Sequence, residues 1–383
     1  LFKNKSLAVL EKANDMDKIA VIMAGGAGER FWPLSRRTYP KQLLKIAGER
    51  SMLATVVDRI QLLIPYENIY IITGGQLKEA IEDELPQLSK DNIIAEPCGR
   101  NTSACLALAC AYVRARYTDD VNMLVLTADS HISDEAAFLN DCREGFKLSE
   151  VSDNLVLFGV RPVRPETGYG YIECGVPLEG GNANGRCFHV ASFREKPNTD
   201  TAIEYLKAGN YLWNSGQFIW RTSVLIHAFE EVFPECGRQI APMTQCIQNH
   251  DADGLASAFN EIPKKSIDYG VLEKYKSVVV VSVSFPWDDI GSWDCLDRIS
   301  PPDSDQNVLV GNVLALDSSC CTVYTVKGQN REPDHEKLVV AYGVRDLVIV
   351  NTDDVTMVFP KSMAQRVKDV VAAVRESQKG KYL

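Results

Sequence analysis

Five consecutive apolar residues, Ile19 to Met23, run through Ala24 into Gly25, Gly26 and Gly28, and this junction restricts the fold more than any other stretch of the 383-residue chain. A strand that is apolar at successive positions is covered on both faces, as in a sheet flanked by helices. Glycines at its end let backbone N–H groups turn toward one point without Cβ obstruction, and such a nest binds phosphate. Two named phosphate loops are excluded: no G-x-x-x-x-G-K-[ST] is present, and Phe31 occupies the place of the third glycine of G-x-G-x-x-G. Taken alone, the glycines equally fit a tight structural turn. Arg30 and Lys41 flank them, and donors plus two cations suit a triphosphate and the charge that develops in phosphoryl or nucleotidyl transfer.

From Ile19 to about Pro301 short β-branched runs alternate with longer helical ones, the pattern of an α/β fold. Strands are expected over Ile19–Met23, Ile69–Thr73, Asn122–Leu126, Asn154–Val160, Gly170–Cys174 and Ser277–Val283. Helices are expected over Ser51–Leu62, Gln76–Leu85, Asn101–Arg116 and Ala136–Glu150, the third apolar nearly all round and therefore buried. Glu166 to Glu195, broken by "EGGNANG", reads as an antiparallel extension carrying part of a site. After "SPPDSDQ" the pattern becomes short strands: Val308–Val310, Val313–Leu316, Thr322–Thr325, Leu338–Ala341, Leu347–Val350 and Val355–Phe359. They suggest a small domain of stacked strands, a rudimentary β-helix without a fixed period. In the final helix Met363, Val367, Val370, Val371 and Val374 make one apolar stripe, facing either its own domain or a partner subunit. The expected division is an extension over residues 1–15, a large domain over 16–301 and a small one over 302–383.

A formal net charge of −10 without a long Lys/Arg run argues against a broad grip on nucleic acid or an anionic membrane. Eleven cysteines, two of them adjacent at Cys320 and Cys321, include no C-x-x-C pair, which disfavours structural zinc and a disulfide framework. No apolar run approaches the roughly 18 residues of a membrane span, and no signal peptide opens the sequence. A reducing cytoplasm is the expected location.

"AGGAGERFWPLSRRTYPKQ" resembles the signature of the sugar-nucleotide pyrophosphorylases, in particular their GDP-mannose-forming branch. The resemblance continues in order through "EPCGRNTSA", "LTADSHI", "RPETGYGYIE", "FREKP", "WNSGQFIW", "WDDIGSW" and "LVIVNTDDVTMVFPK", covering the chain from Met16 onward. It implies a Rossmann-like nucleotidyltransferase domain with a mixed sheet, followed by a small left-handed β-helix-like domain. Some relatives carry a further cupin-type isomerase domain, for which this sequence is too short.

The implied reaction joins GTP and α-mannose 1-phosphate to give GDP-mannose and pyrophosphate, by in-line attack of the sugar phosphate on the α-phosphorus. By resemblance Ala24, Gly25, Gly26 and Gly28 cradle the nucleotide, Arg30 holds the β- and γ-phosphates, and Lys41 bridges the α-phosphate and the sugar phosphate. Pro40 restricts the backbone before Lys41 and helps hold the lysine in one direction. Mg²⁺ is assigned to Asp129 and Asp289. The sequence departs from the resemblance at both: Ser130 intervenes before His131, and Asp288 stands where a small polar residue is common, which leaves open a share of the metal for Asp288. Glu96, with Gly99, Asn101 and Thr102 nearby, is placed at the base, where a carboxylate accepts from guanine N1–H and the N2 amino group together. Gly168, Glu195, Lys196 and Asn214 are assigned to the sugar phosphate.

Two rivals stay open: a nucleotidylyltransferase for another hexose 1-phosphate, from which Glu96 and "WNSG" discriminate, and a noncatalytic GDP-mannose-binding regulator, which would have lost the lysine or a metal ligand. A homodimer through the C-terminal domain is also expected, with no catalytic group beyond Asp289 and assembly as that domain's role.

Overall fold

The structure is a computed structural model describing residues 16–26, 28–179, 185–326, 337–377 and 379–383. The extension 1–15 and most of the "EGGNANG" break lie outside the described residues.

Strands β1 (Lys18–Met23), β2 (Ile69–Gly74), β3 (Ile93–Glu96) and β4 (Asn122–Thr127) are parallel, in the order β3-β2-β1-β4. In β1, Ile19 and Val21 face one apolar cluster while Ala20 and Ile22 face another, which is why no polar residue interrupts the strand. The first cluster is closed by the helix Asn101–Arg116, buried from Ser103 to Ala111 as its composition requires. The second takes the helices Met52–Ile60 and Glu135–Val151. Ser51 caps the first of these by accepting from the Ala54 N–H, so that helix begins one residue later than expected.

A two-stranded ribbon follows, in which β5 (Ser130–Ile132) pairs with β11 (Trp287–Asp289), far along the chain. The large sheet continues with β6 (Leu155–Val160), β7 (Gly170–Pro177), β8 (Cys187–Glu195), β9 (Tyr211–Arg221) and β10 (Val278–Ser282), and its full order is β3-β2-β1-β4-β9-β6-β10-β8-β7. Because β9 is antiparallel to both β4 and β6, the sheet is mixed. The expected antiparallel extension is the β7–β8 pair. Strand β9 was not foreseen, since "YLWNSGQFIWR" has Asn214, Ser215 and Gly216 inside it; Gly216 adopts φ +70°, and the register with β6 shifts there. The helices Thr222–Val232, Pro234–Gln248 and Ala252–Asn260 were also missed, and they complete the first face.

Strand β11 (Trp287–Asp289) leads into the carboxyl-terminal unit: β12 (Val308–Val310), β13 (Val313–Leu316), β14 (Thr322–Thr325), β15 (Val339–Tyr342), β16 (Leu347–Asn351) and β17 (Thr356–Pro360). The chain alternates between two parallel sheets, β12-β14-β16 and β13-β15, and β17 closes the first antiparallel to β16. Like strands stacking on like strands is a β-helix-like coil, with Cys321, Val323, Ala341 and Ile349 inside it. In the final helix, Val367–Glu376, Val367 and Val371 are buried and Val374 packs with them against Phe31, Trp32 and Trp293, so most of the stripe faces the chain's own large domain; Met363 and Val370 remain exposed. All eleven cysteines are free thiols. Among the described residues no helix is long and apolar enough to cross a membrane.

Candidate active site

Parallel strands deliver their following loops to one edge of the sheet, and an open α/β sheet binds ligands in the crevice where neighbouring loops diverge. The order β3-β2-β1-β4 therefore brings three loops together: Ala24–Gly28 after β1, Glu96–Gly99 after β3 and Asp129 after β4. The glycine loop is anchored at its base, where the Ala24 N–H donates to Ile72 O at 2.8 Å and Thr73 Oγ1 donates to Ala24 O at 3.0 Å. Gln42 Nε2 donates to Gly25 O at 2.6 Å and ties the loop to the turn Lys41–Leu43. Gly26 and Gly28 have φ of +100° and +61°, and a Cβ on Gly28 would collide with Lys41 Cβ. The glycine is thus required twice, for its backbone angle and for the approach of the lysine.

Lys41 Nζ lies 2.5 Å from Asp129 Oδ2. Burial alone would lower the lysine pKa, but Asp129 and Asp289 outweigh it and raise it, so the ammonium is held charged. The β5–β11 ribbon explains how residues so far apart in the sequence meet: Asp289 pairs with Ser130, and the Ile290 N–H donates to Asp129 O at 3.1 Å. Burial and the Asp129 charge push Asp289 up to about 6, and the Lys41 and Arg30 charges oppose this from nearby. Arg30 itself is exposed.

Asp288 faces the other way. Arg298 grips both its oxygens at 2.7 Å, and Arg164 approaches to 3.8 Å. A carboxylate so paired is poorly placed to share a metal with Asp129. The inserted Ser130 also has a use: its Oγ lies 2.7 Å from Thr127 Oγ1 and accepts from Trp287 Nε1 at 3.1 Å, linking β4 to β11 across the site.

A cavity of about 250 Å³ brings together Thr102, Asp129, Gly168, Glu195, Asn214 and Asp289. Asn214 Nδ2 donates to Asp268 Oδ1 at 3.0 Å, and the Gly216 N–H donates to Asn214 Oδ1 at 3.1 Å, so the amide is oriented on both sides. Gly170 leaves room for Glu195, since a Cβ there would collide with Glu195 Oε2 and crowd the Phe193 ring. Lys196, at φ +50°, pairs with Glu195 and is itself exposed. The lining does not include Arg30, Lys41, Lys196, Glu96, Gly99, Asn101 or the glycine loop. Glu96 ends β3, beside Gly74 of β2. Asn101, at φ +68°, accepts from the Thr102 N–H at 2.8 Å and opens the buried helix.

Sequence reasoning missed Tyr169, Asp268 and Trp287 in the lining. Tyr169 stacks edge-on against Trp213 and Trp287, each at 5.3 Å. Burial, then the Glu195 charge, pushes Asp268 up to about 6. Tyr169 stood within a quoted motif, whereas Asp268 had no signal apart from its contact with Asn214.

A glycine loop at the end of β1, a lysine held between two aspartates and an adjoining polar cavity, all at the carboxyl edge of a mixed α/β sheet, define a nucleotide-transfer class of protein. Residues 19–306 match the Nucleotidyl transferase family, and residues 311–374 match the MannoseP isomerase/GMP-like beta-helix domain. The chain is 37% identical over 369 residues to a mannose-1-phosphate guanylyltransferase of Klebsiella pneumoniae, covering 95% of this chain and 75% of the relative. Over 362 residues it is 37% identical to that of Escherichia coli K12, covering 93% and 73%. The solved mannose-1-phosphate geranyltransferase of Thermus thermophilus superposes with a TM-score of 0.83 at 32% identity, covering 94% of this chain and all of that one. The chain belongs to the nucleotidyl transferase family, in the group of the mannose-1-phosphate guanylyltransferases.

Proposed function

We propose that the protein transfers GMP from GTP to α-mannose 1-phosphate, releasing pyrophosphate and forming GDP-mannose. The observation that carries this is Lys41 beside Asp129 and Asp289, between the glycine loop and the cavity of Glu195 and Asn214. A sugar phosphate oxygen forms the new bond to the α-phosphorus as the α–β bridge breaks, and the chain supplies position and charge. Loop N–H groups and Arg30 bind the departing pyrophosphate, Lys41 draws the α-phosphate and the sugar phosphate together, and Lys196 meets the latter from the outer side. Glu195 and the oriented Asn214 amide accept from and donate to sugar hydroxyls. Glu96 reads guanine, with Gly99, Asn101 and Thr102 shaping that end.

Two hard carboxylates repelling each other around one ammonium suit Mg²⁺, which keeps several waters and needs few protein ligands. Asp129 and Asp289 would hold it, and when bound it neutralises phosphate charge. Asp289→Asn is expected to raise the Mg²⁺ concentration for half-maximal activity about tenfold or more, while Asp288→Asn leaves it near wild type; the reverse ranking in a Mg²⁺ titration would reassign the ligand. The reaction itself is tested by measuring pyrophosphate release across a panel of nucleoside triphosphates and hexose 1-phosphates. Release with GTP and mannose 1-phosphate well above other pairs is expected, and a preference for another pair overturns the assignment.

The boundary between the two units is placed near Pro301, the coil is taken as left-handed, and a reducing cytoplasm remains the expected home. Assembly is assigned to a second copy through the β13–β15 sheet. Leu314, Leu316, Val340 and Tyr342 are exposed on one face, paired in register as Leu314 with Val340 and Leu316 with Tyr342. An uncharged, apolar face of this kind is self-complementary under two-fold symmetry. Light scattering is expected to show a dimer that Tyr342→Lys dissociates; a monomeric wild type refutes it.

A further inference from the structure

The glycine loop leaves Gly28 through a single turn, Glu29–Phe31, which carries Arg30. Three residues of 3₁₀ turn are too short to hold a side chain in place unaided. The support comes from the carboxyl-terminal unit. Phe31 is buried against Trp293 at a ring separation of 5.3 Å, in a core shared with Val367 and Val371. Trp32 Nε1 donates to the Tyr382 carbonyl at 2.7 Å, and Arg36 Nη1 donates to the same oxygen. Arg36 Nη2 meets Asp354 Oδ1 at 2.8 Å, and Arg375 Nη2 donates to Glu29 Oε1 at 3.1 Å. The anchors come from three separate pieces: the turn between β16 and β17, the helix Val367–Glu376 and the last turn, Gly380–Tyr382.

These contacts differ in weight. Glu29 and Arg375 are both largely exposed, and such pairs contribute little. The Tyr382 carbonyl receives two partly buried donors, one of them charged, and that is the stronger restraint.

We propose that Trp32, Arg36 and the Tyr382 carbonyl form a positioning brace that sets the glycine loop, and so Arg30, for the triphosphate. The carboxyl-terminal unit then acts on the reaction without lending a group to it, a role beyond assembly. The kinetic part rests on the reading of Arg30 given under Proposed function; the mechanical part does not.

The test is the double variant Trp32→Phe with Arg36→Met, which removes both donors while keeping much of the packing. Tyr382→Phe serves as the control, because it retains the accepting carbonyl and should behave as wild type. Amide hydrogen exchange over residues 28–37 is expected to quicken about tenfold or more, with β1 and the helix Asn101–Arg116 unchanged. kcat/KM for GTP should fall about tenfold while KM for mannose 1-phosphate stays within about twofold. If the double variant does not fold, Asp354→Asn should shift both readouts in the same direction by less. Unchanged loop exchange, or an equal rise in both KM values together with a collapse of thermal stability, would overturn the brace. Faster loop exchange in a protein whose wild type transfers no GMP would uphold the brace and remove the proposed function.

Discussion

Lys41→Met is expected to lower kcat by about 10²-fold or more with the fold intact. The ammonium sits 2.5 Å from Asp129 and is also held charged by Asp289. Methionine matches the length of the stem, so the turn Lys41–Leu43 and the close approach to Gly28 are preserved. What is lost is the cation between two carboxylates, at the point where two polyanionic substrates must meet. Arg30 also acts on Asp289, but it is exposed and carried on the loop, and the role proposed for it lies at a different part of the triphosphate. The effect should therefore fall on kcat more than on KM, since the charge is needed most as the phosphates close on each other. Pyrophosphate release by the purified variant, with its thermal unfolding measured alongside, decides the matter. Full activity would refute the role.

Glu96→Gln is expected to reduce the preference for GTP over ATP by on the order of 10- to 10³-fold in the ratio of kcat/KM values. A carboxylate accepts from guanine N1–H and N2–H, while glutamine must turn an NH₂ toward one of those donors. Adenine, with an N6 donor beside an N1 acceptor, matches the amide with two bonds. Burial raises the Glu96 pKa to about 7, partly opposed by a hydrogen bond from the Cys105 thiol. The charged form proposed to bind guanine therefore predominates only above that pH. GTP binding should strengthen as pH rises from about 6 to about 8, and Glu96→Gln should lose this dependence. Competition kinetics with both nucleotides across that range test it. An unchanged GTP/ATP ratio would move base recognition to backbone groups around Gly99 and Asn101.

What the sequence by itself determined is local. An unbroken apolar run ending in glycines specifies a buried strand followed by a tight glycine loop, and glycine alone supplies both the left-handed backbone angles and the gap for Lys41. The helix Asn101–Arg116 matched its expected bounds, since a segment apolar on every face has nowhere to go but the core. Strand β9 escaped notice because its Asn-Ser-Gly centre reads as a turn until β4 and β6 satisfy the backbone on both sides. Asp289 was already picked out in the sequence, but whether Asp288 stands beside it was tertiary: adjacent residues on a strand point to opposite faces, and the β5–β11 pairing and the grip of Arg298 turn Asp288 away from Asp129. Asp268 and the Tyr382 carbonyl carry no sequence signal at all, because the first matters through Asn214, 54 positions away, and the second through Trp32, 350 positions away. Chemistry is written in residue types at short spacing, whereas the orientation of those residues depends on long-range packing that no local pattern encodes.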